Sequence, residues 1–179
     1  VGGMSFNKKK YNILIGLSIF IEESINILNL VIGAIKNTHL DNYSFKISLH
    51  PVVTQKKLLR SFNDNWPESF NIVGGINNLL NTTDLLISGG LSGICLESVS
   101  LGIPTIVVEN PYGFSCNSIP MDVPNKLWKL CRTSEDIRNS INYFKNITLE
   151  QKKENRKLGN KIRESYFEPI SKDGIMIFL

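Results

Sequence analysis

The stretch Asp84-Leu85-Leu86-Ile87-Ser88-Gly89-Gly90-Leu91-Ser92-Gly93-Ile94-Cys95-Leu96-Glu97-Ser98-Val99-Ser100-Leu101-Gly102-Ile103-Pro104-Thr105-Ile106-Val107-Val108-Glu109 decides how this chain folds. Residues 84–87 are a short apolar run, too brief for a helix and closed by Ser88-Gly89-Gly90. Ser92 stands where an N-cap belongs, ahead of a helix predicted over 93–101, with Gly102 as its left-handed stop. Pro104 cannot extend that helix. Residues 105–108 are all β-branched, the mark of a strand buried on both faces. The unit is therefore strand, turn, helix, strand.

Its chemistry favours an anion. Small residues from Ser88 to Gly93 let a ligand approach the backbone, and the first N–H groups of the following helix point at whatever sits there. Glu97 lies one turn in, within reach of a neighbouring pair of hydroxyls. A phosphate carrying a sugar fits such a place. So does a bland alternative, a tight connection whose glycines serve packing and whose Glu97 faces water; a lone glycine-rich turn does not separate the two.

Working outward, residues 11–18 read as a first strand ending in small residues, and 22–36 as a helix with apolar residues at helical spacing. A second strand alternates Phe45, Ile47 and Leu49 and closes at His50-Pro51. Thr54 can cap a helix to residue 63, residues 70–73 form a third strand ended by Gly74-Gly75, and 77–81 suggest one helical turn. After the central unit, 110–124 is a proline-rich loop of functional length. A short sixth strand follows over 127–131, then a helix capped around Ser134 and Asp136, and a long charged helix over 148–167 softened at Gly159. Residues 1–10 read as a linker and 168–179 as a tail, leaving 11–167 as the folded domain.

Alternating strands and helices of this length predict a Rossmann-like α/β fold, a three-layer α/β/α domain with a mostly parallel sheet of about six strands. In such sheets ligands bind beyond the carboxyl ends of the strands. That rule gathers Gly16 and Ser18 from the first strand, His50 from the second, Gly74 from the third, Ser88, Gly89, Gly90, Ser92 and Gly93 from the fourth, and Glu109 and Asn110 from the fifth. Pro51 restrains His50 to an extended backbone, holding an imidazole at the lip of the sheet, where it could contact or protonate a departing phosphate. Glu109 reads equally as a substrate contact or as the end of a strand. Glu22 and Glu23 suit a helix start for dipole reasons alone and are assigned a structural role. Trp66 and Trp128 are read as packing residues and His39 as exposed.

The net charge of +4 reads first as a solvated face and second as an aid to an anionic ligand or to peripheral contact with a membrane surface, and no dense basic stripe with interleaved aromatics points to nucleic acid. No apolar run is long enough to span a bilayer. Cys95, Cys116 and Cys131 are odd in number and widely spaced, without CxxC, and read as reduced thiols of a cytoplasmic protein. There is no Asp-x-Asp, His-Glu-x-x-His or Walker A pattern, so neither a metal nor a cofactor is expected.

The run from Ser88 to Pro104, preceded by Leu49-His50-Pro51, resembles the C-terminal, donor-binding half of GT-B-fold glycosyltransferases. Related families with the same half are the CDP-glycerol glycerophosphotransferases, bacterial sialyltransferases and UDP-sugar 2-epimerases. The likeness covers roughly residues 11–167. It implies that Ser92 and Gly93, with Gly90 just before, hold nucleotide phosphates, that Glu97 holds ribose hydroxyls, and that His50 contacts the leaving phosphate. It implies a nucleotide-sugar co-substrate, metal-independent transfer in surface polysaccharide synthesis, and a place at the cytoplasmic face of the membrane. The full fold has two halves, so the resemblance also implies an N-terminal acceptor domain, without which this half binds but turns over little. The alternatives are a UDP-sugar 2-epimerase-like fragment and a non-catalytic interaction module.

Overall fold

The computed structural model describes residues 10–36, 38–63, 65–76, 78–111 and 116–167. The linker and tail expected outside 11–167 lie almost wholly beyond these residues, as does the centre of the proline-rich loop.

The described residues form a six-stranded sheet of order β3-β2-β1-β4-β5-β6, with every pairing parallel. The strands are β1 (Tyr11–Gly16), β2 (Tyr43–Ser48), β3 (Phe70–Val73), β4 (Leu85–Gly89), β5 (Thr105–Val108) and β6 (Trp128–Cys131). Between them run α1 (Ile21–Ile35), α2 (Gln55–Arg60) and α3 (Ile94–Ser100), and after β6 come α4 (Ser134–Lys145) and α5 (Leu149–Tyr166). This is the Rossmann-like α/β/α arrangement read from the sequence.

Successive residues of a strand face opposite sides, so a sheet covered on both sides needs two apolar sets from each central strand. Ile13 and Ile15 of β1, with Leu85 and Ile87 of β4, bury against Ile27, Leu28 and Val31 of α1, Leu58 of α2, and Ile137, Ile141 and Phe144 of α4. Leu14, Leu86 and Val107 turn the other way, onto Ile94, Cys95 and Val99 of α3 and Ile162 of α5. Arg138 of α4 donates to the last carbonyls of α1, Gly33 and Ala34, at 3.0 and 2.8 Å, a cation at a helix C-terminus. Both tryptophans pack as expected, with Nε1 of Trp66 donating to the Phe70 carbonyl and that of Trp128 to Val123.

Several boundaries differ from the sequence reading. The cap of α4 is Thr133 rather than Ser134: its Oγ accepts from the Asp136 amide at 3.1 Å, and the Asp136 carboxylate accepts from the Thr133 amide at 2.9 Å. The turn expected over 77–81 is a 3-10 turn at Leu80–Thr82. Most informative is Gly159, expected to soften α5. That helix runs through it unbroken, and the residue is instead the point where α5 crosses the end of α3. A Cβ on Gly159 would stand 2.9 Å from the Gly102 Cα, and one on Gly102, whose φ is +72°, 2.6 Å from the Asn155 carbonyl oxygen. Two glycines face each other because neither backbone leaves room for a side chain.

Gly159→Ala should therefore push α5 off α3 and destabilise the chain by about 1–3 kcal/mol. Urea unfolding measures it. A midpoint equal to wild type would show that the crossing tolerates a methyl group.

Candidate functional site

Every strand ends on the same edge, and the connections of the two central strands depart to opposite faces: β1 feeds α1 and β4 feeds α3. A crevice opens where such connections part. Two hollows occupy it. The larger, about 470 Å³, is walled by Gly16, Leu49, Ile76 and Ile94 among others; the smaller, about 230 Å³, lies between Ser18, Glu23, Gly89 and Gly93. Leu17, His50 and Ser92 line both, so the two are halves of one cleft. A third hollow of about 240 Å³ lies at the opposite edge, around Asp84, Gly102, Lys152 and Arg156. It lies where β1, β4 and β5 begin, beside Tyr11, Asp84 and Pro104.

The floor of the cleft is a clasp between the two central strands. Gly16 and Ser88 are partners in the parallel ladder, and the buried Ser88 hydroxyl donates to the Gly16 carbonyl at 2.8 Å. The turn after β4 is held from the far side by Ser118, whose amide donates to the Gly90 carbonyl and whose hydroxyl donates to that of Ser92, both at 2.8 Å. The Ser92 carbonyl also accepts from the Cys95 amide at 3.0 Å. The cap position of α3 belongs to Gly93, so Ser92 is not the side-chain cap its sequence position suggested.

The residues gathered by the sequence reading thus separate. Gly16, Ser18, His50, Gly89, Ser92 and Gly93 all line the cleft. Ser88 and Gly90 lie beneath it, buried, and a side chain on Gly90 would collide with the Cys116 carbonyl. Gly74 is exposed with open space before it, while its neighbour Gly75 lines the larger hollow. Glu97 is partly exposed on α3 and lines neither hollow. Glu109 is held by the guanidinium of Arg132 through both oxygens, and with Asn110 it stands apart from the cleft walls. Nδ1 of His50 accepts from the Val52 amide at 3.4 Å, which in a neutral ring leaves the proton on Nε2.

Two contributors were not found from sequence. Ser118 lies in the proline-rich loop without a motif, and its role is visible only through its bonds to Gly90 and Ser92. Glu23 was assigned to the helix dipole, yet it is 4% exposed and lines the smaller hollow. Among the described residues that line the cleft, its carboxyl group and the His50 imidazole are the ionisable side chains. Nearby, burial pushes the Cys95 thiol up to about 12, with Ser118 and Ser88 opposing and the Glu23 charge adding to it. Among the described residues no three His, Cys, Asp or Glu side chains form a metal-binding cluster, and no helix is long and apolar enough to cross a membrane.

No family model matches the sequence, and no curated protein is a match to it. Solved structures do match. The C-terminal domain of LpcC, a group 1 family glycosyl transferase from Francisella tularensis, superposes over 90% of this chain and 88% of its own, at 14% identity and a TM-score of 0.58. TarM matches over 95% of this chain but 34% of its own, at 16% identity and TM-score 0.56. The UDP-GlcNAc 2-epimerase of Methanocaldococcus jannaschii, solved with UDP-GlcNAc and UDP, matches over 88% of this chain and 45% of its own, at 18% identity and TM-score 0.57. The chain thus spans about a third of TarM and under half of the epimerase. Its fold is that of the C-terminal half of a GT-B glycosyltransferase.

The floor geometry makes a thiol prediction. Cys116 is exposed, whereas Cys95 and Cys131 are buried and shifted upward by that burial, hence neutral and shielded. In the native chain a disulfide reagent should modify Cys116 alone, with the other two reacting after denaturation. Prompt reaction of all three would show that the face beneath the turn is open.

Proposed function

We propose that this chain binds the nucleotide-sugar donor of a glycosyltransferase, or of a close relative that transfers a glycerophosphoryl group. The observation that carries the proposal is the bipartite cleft at the β1–β4 parting, whose two hollows meet at His50 and Ser92. A nucleotide sugar has the matching form, with a flat base and ribose at one end, a polyhydroxyl group at the other and phosphate between. The larger hollow, with Leu49, Ile76 and Ile94 in its wall, suits the nucleoside. Phosphate at the junction would face the amides at the start of α3 and the Nε2 proton of His50. Opposing donors of this kind stabilise negative charge as it grows on a leaving phosphate.

Glu97 stands beside the turn rather than in a hollow wall. Its proposed role is to reach the ribose hydroxyls of a bound nucleoside by a change of rotamer. An acceptor-binding domain set over the open side of the cleft would bring the second substrate, and synthesis of a surface polysaccharide at the cytoplasmic face of a membrane is the setting we propose. The solved neighbours also include a UDP-GlcNAc 2-epimerase, and epimerisation of such a donor is the second reading this fold supports.

Calorimetric titration of the chain with UDP, CDP, CMP and GDP tests the proposal. One nucleotide should bind. His50→Ala should weaken it by about tenfold, the worth of one hydrogen bond to a charged group. Glu97→Ala should weaken the nucleotide while leaving inorganic phosphate unaffected. Binding of none of the four, or affinities that neither substitution changes, would contradict the assignment.

A further inference from the structure

Glu23 is the residue whose chemistry the donor reading leaves unused. It lies in the first turn of α1, 4% exposed, and neither oxygen of its carboxyl group meets a hydrogen-bond donor among the described residues. Buried carboxyl groups are normally paired, since leaving one unpaired costs its full desolvation. Glu23 is one of the residues that line the smaller hollow, with Ser18, Gly89 and Gly93, and its two oxygens are buried beside Gly89. The sheet makes room for it. A Cβ on Gly89 would stand 3.0 Å from the Glu23 Cδ and nearer still to Oε1, so the absence of a side chain at the end of β4 is what lets the carboxyl group sit there. The adjacent Cys95 thiol does not serve it, being directed to the Gly89 carbonyl.

We propose that Glu23 selects the group carried by the donor, accepting hydrogen bonds from the hydroxyl or amino substituents of a neutral or amino sugar or polyol and excluding sugar acids. The inference rests on the donor-binding reading above and deepens it. A carboxylate only accepts hydrogen bonds, so its complement must donate them or carry positive charge. Among the described residues no lysine or arginine lines either hollow, so none of them neutralises a second carboxylate placed against Glu23. The phosphate lies at the junction with His50, which leaves the carried group as the part of the donor that enters the smaller hollow. Two oxygens side by side suit two neighbouring hydroxyls, which bulk water cannot match once the hollow is filled.

The test uses the whole chain. Titrations with UDP, CDP and GDP identify the base. The matching neutral donor and its acidic counterpart are then compared: UDP-glucose with UDP-glucuronate, CDP-glucose with CDP-glucuronate, or GDP-mannose with GDP-mannuronate. The wild type should prefer the neutral donor by tenfold or more. In Glu23→Ala, affinity for the neutral donor relative to the bare nucleoside diphosphate should fall about tenfold, and Glu23→Gln should narrow the discrimination against the acidic donor. Thermal unfolding of Glu23→Gln without ligand should show a midpoint no lower than wild type, because the carboxyl group has no partner to lose.

Equal weakening of diphosphate and donor, a wild type that binds the acidic donor as tightly as the neutral one, or a lowered unfolding midpoint overturns the role of Glu23 while the donor site stands. Failure to bind any nucleotide overturns both.

Discussion

Everything at the cleft depends on the way β1 and β4 lie side by side at the middle of the sheet while their helices depart to opposite faces. The hydrogen bond from the Ser88 hydroxyl to the Gly16 carbonyl closes that pair at its carboxyl end. Because the two backbones are held there, the β1–α1 and β4–α3 connections have nowhere to go but apart, and the gap between them is the cleft. The turn after β4 cannot sag into it, since Ser118 holds the Gly90 and Ser92 carbonyls from the other side. The cleft is therefore tied by hydrogen bonds at its floor and open at its rim, where Ile19, Phe20 and Leu91 are exposed. A binding site benefits from that division, because a fixed floor lowers the ordering cost of binding.

The same arrangement explains why the outer layers matter to a site they do not touch. The helix α3, whose start faces the cleft, is only seven residues long and draws little stability from its own hydrogen bonds. Its position is set by Cys95 and Val99 beneath and by the Gly102–Gly159 crossing with α5 behind. On the opposite face α4 anchors α1 through Arg138, and α1 presents Glu23. Each wall of the cleft is thus braced by a helix that follows the sheet in sequence.

The fold was legible in the sequence because burial on two faces leaves a plain signature: continuous β-branched or aliphatic runs at 85–87 and 105–108, alternating with helices of apolar spacing. The edge where we propose the site followed from the alternation of strands and helices, because ligands of parallel sheets bind beyond the carboxyl ends of the strands. What escaped was set by contacts distant in the chain. Glu23 looks like any acid at a helix start until Gly89, 66 residues on, is packed against it. Ser92 looks like a helix cap, but its carbonyl is drawn to Ser118 and the cap passes to Gly93. Glu109 left two readings open in the sequence, and its ion pair with Arg132, 23 residues on, is visible only in the fold. The glycines are alike in sequence, yet Gly90 is packed against backbone, Gly89 makes room for a carboxyl group and Gly93 faces open space.

The most direct test of the central claim, that the ligand lies across the β1–β4 parting, is the mapping of backbone amide chemical shifts while the bound nucleotide is added. Shifts concentrated at Gly16 to Ser18, His50 and Ser92 to Ile94 are the predicted result. Shifts gathered instead at the amino edge, around Gly102, Lys152 and Arg156, would contradict it and move the site to the opposite end of the sheet.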